Sequence, residues 1–364
     1  MQTRRIYIGN VAVGNGAPVT IQSMCNTPTA DVTATLEQIR RLATAGCQII
    51  RLAVPDMAAA SAFKAITEAS PIPVIADIHF DYRLAVAAIE NGAAAVRVNP
   101  GNLGGDDAVK AVADALKKYH VPVRVGANSG SLAKEFQSHL AAVSAAEHDE
   151  LLSDALVKSV LLQAAAFERY GVSDIKVSLK ASSVPATVKA YRKFAAQSDY
   201  PLHVGVTEAG TPARGIVKSS AGIGALLLDG IGDTIRVSLT ADPEPEVIAA
   251  QRILESVGLR DASPDLVACP TCGRTKIDLV ALAGKVESLV NRIKAEGGVI
   301  NLKKIAVMGC VVNGPGEAKD ADIGIAGGDK KVVLFRKGVI EATLDETAGF
   351  AALEKIIREN TTWN

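Results

Sequence analysis

The chain has 364 residues, with 39 basic and 39 acidic side chains, so its formal net charge is zero. Its hydrophobic content of 48% with 21% charged residues is ordinary for a globular protein and excludes general disorder. A zero net charge without a basic run excludes a dedicated binder of nucleic acid or anionic membranes. The length suits one large domain followed by a smaller one.

The chain start and the cysteine count predict the compartment. No segment reaches the roughly 18 consecutive apolar residues that a spanning helix needs. Residues Met1 to Gly16 contain no apolar signal-peptide region. Five cysteines are an odd and sparse set for a disulfide scaffold, so we expect free thiols and a cytoplasmic protein.

Residues 1–258 alternate short β-branched runs with longer Ala/Leu-rich stretches, which is typical of repeated βα units. Eight such units predict an α/β fold, a TIM-type (β/α)8 barrel. The alternative is an open doubly wound sheet, but no G-x-G-x-x-G follows an early strand. The predicted strands are Val19–Met24, Ile49–Val54, Pro73–Ile78, Ala95–Asn99, Val121–Ala127, Asp174–Ala181, Pro201–Thr207 and Thr234–Thr240.

Helices are predicted between these strands, and a short hairpin is predicted before them. The Arg5–Val13 segment is expected to form that hairpin and to close the bottom of the barrel. The helices include Asp31–Ala45, Met57–Ala69, Ala108–Tyr119, Glu147–Tyr170 and Pro185–Ala196.

Residues 259–364 predict a second, small α+β domain. The Ser- and Pro-containing segment Asp261–Asp265 is predicted to be a linker. Helices are expected near Val280–Glu296 and at Ala348–Arg358, with strands near Ile305–Met308 and Lys331–Phe335.

Charged residues alternate with apolar ones along the predicted barrel strands. Because strand side chains alternate between two faces, the apolar set packs under the helices and the polar set points into the lumen. Buried cations need anions, and a diphosphate ligand suits the forked geometry of the guanidinium group. We favour such a ligand over the alternative that these residues lie at strand ends and form ion pairs on the surface. The predicted lumen cations are Arg51, Arg97, Arg124, Lys180 and Arg236.

Two carboxylates are predicted where barrel active sites lie, at the C-terminal ends of strands. Asp77 and Glu208 are each a candidate general acid or base, or a partner for a neighbouring arginine. His79 and His203 are each as compatible with a structural hydrogen bond as with catalysis.

Three cysteines of the second domain suggest a metal centre. Cys269 and Cys272 form a C-x-x-C unit, and Cys310 follows later. Zinc would need a fourth Cys or His, and this region has no histidine. An iron–sulfur site with Glu317 as a fourth ligand is therefore favoured over zinc, a redox disulfide or inert thiols. Cys25 and Cys47 are predicted to be buried hydrophobes.

At these residues the chain resembles the family of 4-hydroxy-3-methylbut-2-en-1-yl diphosphate synthases, in the shorter two-domain form. The resemblance rests on the cysteine motifs and covers nearly the whole chain. The matching segments are Ala268–Thr275, Gly309–Ala318, Ala76–Phe80, Arg97–Asn102, Lys176–Ser182 and Gly230–Ser238.

The resemblance implies an activity in isoprenoid biosynthesis by the methylerythritol phosphate pathway. It implies reductive opening and dehydration of 2-C-methyl-D-erythritol 2,4-cyclodiphosphate to (E)-4-hydroxy-3-methylbut-2-enyl diphosphate, with electrons from flavodoxin or ferredoxin. It also implies a homodimer in which the cluster domain of one subunit caps the barrel of the other.

The resemblance further assigns residues to these roles. The family's [4Fe–4S] ligands correspond to Cys269, Cys272, Cys310 and Glu317, and its acidic candidates correspond to Asp77 and Glu208. We hypothesise that a substrate oxygen takes the place of Glu317. The implied substrate contacts are Arg51, Arg97, Asn99, Arg124, Asn128, Lys180, Arg236 and Ser238.

Other hypotheses remain open on the sequence. One is a barrel enzyme for another phosphorylated or pterin-like substrate with a structural zinc domain. Another is an iron–sulfur electron carrier or sensor fused to a barrel.

Overall fold

The computed structural model of the protein describes residues 2–132, 144–261, 264–310, 316, 318–329 and 331–363. The chain divides into two compact units, Met1–Arg260 and Asp261–Asn364. This division lies close to the domain boundary predicted after residue 258. Among the described helices, none is long and apolar enough to cross a membrane.

The first unit contains a hairpin and eight parallel strands. Strands β1 (Ile6–Ile8) and β2 (Val11–Val13) pair antiparallel. Eight strands then follow in the sheet order β8-β7-β6-β5-β4-β3-β10-β9. All eight predicted barrel strands are confirmed, although several are shorter than predicted. They are β3 (Thr20–Met24), β4 (Ile49–Ala53), β5 (Val74–Asp77), β6 (Ala95–Arg97), β7 (Val123–Asn128), β8 (Ile175–Lys180), β9 (His203–Val204) and β10 (Thr234–Ile235).

The barrel closes between β8 and β9 with little backbone pairing. A single parallel bridge joins Val177 to Leu202. Above it, the hydroxyl of Tyr191 accepts a hydrogen bond from the backbone N–H of Leu179 at 3.1 Å and donates one to the carbonyl of His203 at 2.5 Å. The Tyr191 side chain thus supplies polar contacts that a strand ladder would otherwise make.

Eight α-helices among the described residues of the first unit cover the outside of the barrel strands. Aspartate and serine side chains begin several of them, since Asp31, Asp56, Asp81 and Ser183 each accept a backbone N–H of the first turn. The helices are α1 (Val32–Thr44), α2 (Met57–Ala69), α3 (Tyr82–Glu90), α4 (Asp106–Tyr119), α5 (Ala145–Glu168), α6 (Val184–Ala195), α7 (Pro212–Leu228) and α8 (Glu244–Ser256).

The hairpin closes one end of the barrel, as predicted. Ile6, Ile8 and Val13 form one apolar cluster with Ile49, Ile75 and Ala95, which come early in β4, β5 and β6. This cluster therefore lies at the N-terminal ends of the strands, which leaves the C-terminal ends for a ligand site.

The second unit is built on a mixed five-stranded sheet, in the order β11-β13-β14-β15-β16. Strand β11 begins at Asp265, so the end of the predicted linker is a strand. A separate antiparallel pair joins β12 to β17. The elements are β11 (Asp265–Ala268), α9 (Leu279–Ala295), β12 (Gly298–Ile300), β13 (Lys304–Met308), β14 (Ile323–Gly327), β15 (Val332–Arg336), β16 (Val339–Leu344), α10 (Glu346–Glu359) and β17 (Thr361–Trp363).

Candidate active site

The five predicted lumen cations lie on, or directly after, five different barrel strands. Arg97 and Lys180 end their strands, and Arg236 directly follows β10. Arg124 is the second residue of β7 and lies in register with Lys176 of β8. Arg124 and Lys180 are at most 9% exposed, so a positive cluster is enclosed by the barrel. The structure therefore brings the predicted lumen cations close together.

Asp77 is the carboxylate on the β4–β6 side of the lumen. Its oxygens lie 3.5 Å from Nε of Arg51 and 3.3 Å from Nη1 of Arg97, and the Nε2 atom of His79 lies 3.8 Å away. Burial alone would raise the pKa of Asp77, but the Arg51 charge, the His79 contact and the Arg97 charge together hold it well below its usual value. Asp77 is therefore ionised at neutral pH.

Glu246 is a second buried carboxylate, which the sequence interpretation did not single out. One of its oxygens lies 3.4 Å from both Nε and Nη2 of Arg236. Its other oxygen accepts the backbone N–H of Leu239 at 2.8 Å. The predicted partnership of Glu208 with a lumen arginine is absent among the described contacts, and Glu246 provides it instead. From the sequence, Glu246 could be interpreted only as an acidic residue that stabilises the first turn of a helix.

Three buried cations have no carboxylate within ion-pair distance among the described residues: Arg124, Lys176 and Lys180. Within the part of the chain that the structure describes, the Nε and Nη1 atoms of Arg124 and the Nζ atom of Lys176 also have no hydrogen-bond partner. Burial, followed by the charges of neighbouring arginines, places the pKa of each lysine well below its usual value. This part of the lumen carries uncompensated donors that suit an anion.

The remaining polar candidates lie near this cluster to differing degrees. The Asn99 side chain accepts the N–H of Gly101 at 3.1 Å and so begins a short 3-10 turn. Asn128 ends β7 in register with Lys180, and Ser238 is half-buried in the segment after β10. His203 is fully buried, with Nδ1 2.8 Å from the Thr234 hydroxyl.

Glu208 lies on the loop that follows β9 and is exposed. Its backbone is left-handed, with φ of 52°, which is uncommon for a residue other than glycine. The loop is attached on both sides, because Thr207 N–H donates to the Ala181 carbonyl and Thr240 N–H donates to the Gly210 carbonyl. Such strain, held by flanking bonds, is typical of functional positions.

In the second unit, Cys269 and Cys310 follow neighbouring parallel strands. Ala268 of β11 is in register with Val307 of β13, so the two cysteines leave the same edge of the sheet. The Sγ atom of Cys269 accepts the backbone N–H of Gly309 at 3.1 Å. A backbone donor directed at sulfur is the kind of contact that supports a metal-bound thiolate.

Cys272 is exposed on the loop between β11 and α9. A hydrogen bond from the Arg274 backbone is the main cause that lowers the pKa of this thiol. Partial desolvation opposes the lowering, and a hydrogen bond from the Thr275 side chain adds to it. No group of three His, Cys, Asp or Glu side chains that could hold a metal is assembled among the residues that the structure describes. Glu317 lies outside those described residues. The thiol donor set nonetheless fits an iron–sulfur group, which thiolates select.

Cys25 and Cys47 are buried in the first unit, as predicted for small hydrophobes. Burial, and secondarily the nearby Cys47, raises the pKa of Cys25 to about 12. The Cys47 thiol donates to the Ile49 carbonyl at 3.2 Å. Both thiols are therefore protonated and packed at neutral pH.

Comparison with known proteins identifies matches along both units. Residues 3–251 match the GcpE TIM-barrel domain, and residues 265–359 match the GcpE protein C-terminal domain. A relative in Geobacter sulfurreducens, named 4-hydroxy-3-methylbut-2-en-1-yl diphosphate synthase (flavodoxin), is 51% identical over 362 residues, covering 98% of this chain and 99% of the relative.

Two further relatives carry the same name. One in Clostridium perfringens is 49% identical over 356 residues and covers 98% of each chain. One in Desulfotalea psychrophila is 51% identical over 338 residues, covering 93% of this chain and 90% of the relative. Matches of this extent show that the chain belongs to the GcpE family of 4-hydroxy-3-methylbut-2-en-1-yl diphosphate synthases.

Proposed function

We propose that the protein reduces 2-C-methyl-D-erythritol 2,4-cyclodiphosphate to (E)-4-hydroxy-3-methylbut-2-enyl diphosphate, with reduced flavodoxin as the electron donor named for its relatives. Two electrons enter, the ring carbon–oxygen bond to one phosphate breaks, and a hydroxyl leaves as water after taking a proton. The diphosphate thereby gains one negative charge. The alternative with a structural zinc domain finds no support in these relatives.

One observation carries the proposal: the barrel encloses Arg124, Lys176 and Lys180 without carboxylate partners at ion-pair distance among the described residues. A diphosphate would satisfy the orphaned Arg124 donors by forked hydrogen bonds and would return Lys180 to its charged form. The same cations would stabilise the charge that develops on the leaving phosphate oxygen. We propose Arg51, Arg97, Asn99, Asn128, Arg236 and Ser238 as the further substrate contacts.

We propose Glu208 as the residue that donates the proton to the departing hydroxyl. The other candidate, Asp77, is held ionised by Arg51 and Arg97 and has no proton to give. Glu208 is exposed at the rim, and its strained backbone fixes where the carboxyl group can reach. Asp77 would then orient the two arginines.

A [4Fe–4S] cluster is proposed to be held by Cys269, Cys272, Cys310 and Glu317. When bound, such a cluster supplies electrons one at a time and a Lewis-acidic iron. The Gly309 N–H and the donors around Cys272 favour the thiolate form of the protein ligands. Free thiols of this kind agree with a reducing cytoplasm as the proposed compartment.

The test of the function is anaerobic turnover of the cyclodiphosphate with a chemical reductant. We expect a brown, air-sensitive protein that forms the linear diphosphate, and an Arg124→Met variant that keeps the colour but loses turnover. A colourless, zinc-loaded protein, or a brown one that never consumes the cyclodiphosphate, would contradict the proposal.

The proton assignment is tested by two conservative variants. Glu208→Gln is expected to lower kcat by about 100-fold or more with KM nearly unchanged, because general-acid catalysis contributes about 10²–10⁴. Asp77→Asn is expected instead to raise KM and to destabilise the barrel, because Arg51 and Arg97 lose their partner. The reverse pattern would assign the proton to Asp77.

We also propose a homodimer in which the cluster domain of one subunit serves the barrel of the other. Mixed dimers of Arg124→Met with Cys310→Ser test this, since each variant alone is inactive. Shared sites would restore about a quarter of the wild-type activity, because about half the dimers are mixed and one of their two sites is intact. No recovery in dimers shown to be mixed would mean that each subunit works alone.

A further inference from the structure

The Glu246 side chain contacts two parts of the candidate ligand site, the Arg236 guanidinium and the backbone next to Ser238. It is the third residue of α8, and its side chain is 4% exposed. One oxygen lies 3.4 Å from Arg236 Nε and Nη2 and is also 3.5 Å from the Ser23 hydroxyl of β3. The other oxygen accepts the Leu239 N–H at 2.8 Å. A single carboxylate thus holds the Arg236 guanidinium and the backbone next to Ser238.

The two buried carboxylates contact three of the four lumen arginines, and Arg124 has no carboxylate at ion-pair distance among the described residues. Asp77 contacts Arg51 and Arg97, whereas Glu246 contacts Arg236. The sulfur of Met24 lies between the two groups, 3.0 Å from Arg51 Nη2 and 3.6 Å from Arg236 Nη1. A thioether is a weak acceptor and cannot replace a carboxylate. The orientation of Arg236 therefore depends on Glu246.

We propose that Glu246 is a positioning residue for diphosphate binding. It holds the Arg236 guanidinium at a fixed distance from the Ser238–Leu239 segment, and it does not itself touch the substrate. The inference rests on the proposed function and adds a residue to it. Arg236 contributes to binding only when its fork is already directed, because ordering a free arginine on binding costs rotamer entropy.

Ordinary stabilisation of a helix start by an acidic residue is the competing explanation. The same turn of α8 offers a matched control, because Glu244 lies two residues earlier. Its carboxylate pairs with Arg41 at 2.8 Å, with 26% of its side chain exposed. Glu244→Gln and Glu246→Gln remove the same charge from the same helix end, but only the second faces Arg236.

Glutamine cannot make both sets of contacts at residue 246. Its single oxygen can accept from Leu239 N–H or from Arg236, and its NH2 group then faces the other donor. Two donors directed at each other in a buried site repel, so either the Arg236 side chain or the Ser238–Leu239 segment must move. At residue 244 the amide faces solvent, and Arg41 can turn away.

The experiment is steady-state turnover of the cyclodiphosphate by the anaerobic holoenzyme. We expect Glu246→Gln to raise KM about tenfold, equivalent to about 1.4 kcal/mol, with kcat within about twofold and the cluster absorbance unchanged. Glu244→Gln should match the wild type in KM. Equal KM values for the two folded variants would overturn the proposal.

A double-mutant cycle separates positioning from general destabilisation. In an Arg236→Met background, Glu246→Gln should raise KM no further, because Arg236 is gone and the single glutamine oxygen is then free to accept the Leu239 N–H. An undiminished KM increase in that background would refute the proposal.

A second variant covers the case in which Glu246→Gln does not fold. Glu246→Asp keeps the charge but is one methylene shorter, so it should give a smaller KM increase that also vanishes with Arg236→Met. A wild-type enzyme that does not turn over the cyclodiphosphate would instead contradict the proposed function, before any variant is compared.

Discussion

Gly205 of the loop after β9 leaves the space that the amino group of Lys180 occupies. A β-carbon built on Gly205 would lie 2.9 Å from Lys180 Nζ and 2.5 Å from the carbonyl oxygen of Arg236. The backbone conformation of Gly205 is open to other residues, because its φ is not positive. Close approach of neighbouring groups is therefore what requires glycine here.

Gly205→Ala is expected to impair binding of the cyclodiphosphate and to lower the melting temperature. The added methyl must displace the Lys180 amine and press on the Arg236 carbonyl, and overpacking of this kind costs about 1–3 kcal/mol. Calorimetric titration and thermal unfolding measure the two effects. Gly224→Ala in helix α7 is the control, because its nearest neighbour atom would be 3.9 Å away. Unchanged affinity in Gly205→Ala would show that the space is not needed.

Binding of the cyclodiphosphate is expected to take up a proton at Lys180. The amine is buried and faces Arg51, Arg97, Arg124 and Arg236, which lowers its pKa, with Asp77 and His203 also bordering the lumen. Bound phosphate opposes these effects and raises the pKa of Lys180. Affinity for the cyclodiphosphate must therefore fall as the pH rises above the pKa that Lys180 has in the free enzyme.

Calorimetric titration without reductant in two buffers of different ionisation enthalpy measures this proton uptake. Each phosphorus of the cyclodiphosphate carries one carbon ester and the shared anhydride oxygen, which leaves one strongly acidic group, so the ligand itself carries fixed charge near neutral pH. Lys180→Arg, which stays protonated, should bind with little uptake. Equal uptake in wild type and Lys180→Arg would assign the proton to another group.

Lys176→Met is expected to stabilise the free protein at pH 7. Lys176 is 1% exposed, and its amine has no hydrogen-bond partner among the described residues. Its folded-state pKa lies well below the usual value because of burial and the Arg124 charge. Replacing such a group by an apolar one of similar shape is neutral or stabilising by about 1–4 kcal/mol.

The pH dependence of that difference gives a sharper check. A lowered folded-state pKa means that the unfolded chain binds the extra proton, so wild-type stability rises with pH until about pH 10, by at most about 1.4 kcal/mol per pH unit. The advantage of Lys176→Met should therefore shrink as pH rises, as measured by urea unfolding. Lys110→Met, at an exposed lysine of α4, should leave the slope unchanged.

Cys310→Ser is expected to abolish the iron-dependent absorbance of the anaerobic protein while the barrel still binds the cyclodiphosphate. The reason is that a hydroxyl is a harder and weaker ligand than thiolate for cluster iron. Cys47→Ala is the matched control, because that thiol is also buried but bonds a barrel carbonyl. Loss of the absorbance in both variants would point to misfolding instead of ligand loss.

The alternation of short β-branched runs with longer Ala/Leu-rich stretches predicted the barrel, because each strand and each helix leaves its own pattern in the sequence. The period-two alternation of charged and apolar residues along the strands then predicted which side chains point into the lumen. In the second unit, β11, β12, β14, β16 and β17 were not predicted. Two of these strands have only three residues each, which is too short for a periodic pattern.

The residues that the sequence missed lack a local signal. Glu246 resembles any acidic residue of a first helical turn, and only the folded structure brings it to Arg236, ten positions away across a loop. Lys176 lies four residues before Lys180 and so shares its strand face, but nothing local shows that its amine is fully enclosed. Such burial depends on packing between distant strands, which no single segment encodes.

The hairpin at the bottom of the barrel has a kinetic consequence. Because Ile6, Ile8 and Val13 seal the N-terminal ends of β4, β5 and β6, the lumen is a cup with its mouth at the C-terminal rim. Substrate and product must then pass through one opening, and both carry the diphosphate that the same cations retain. The linear product, with its additional negative charge, should compete with the cyclic substrate for the lumen cations. We therefore expect product release to limit the rate of turnover.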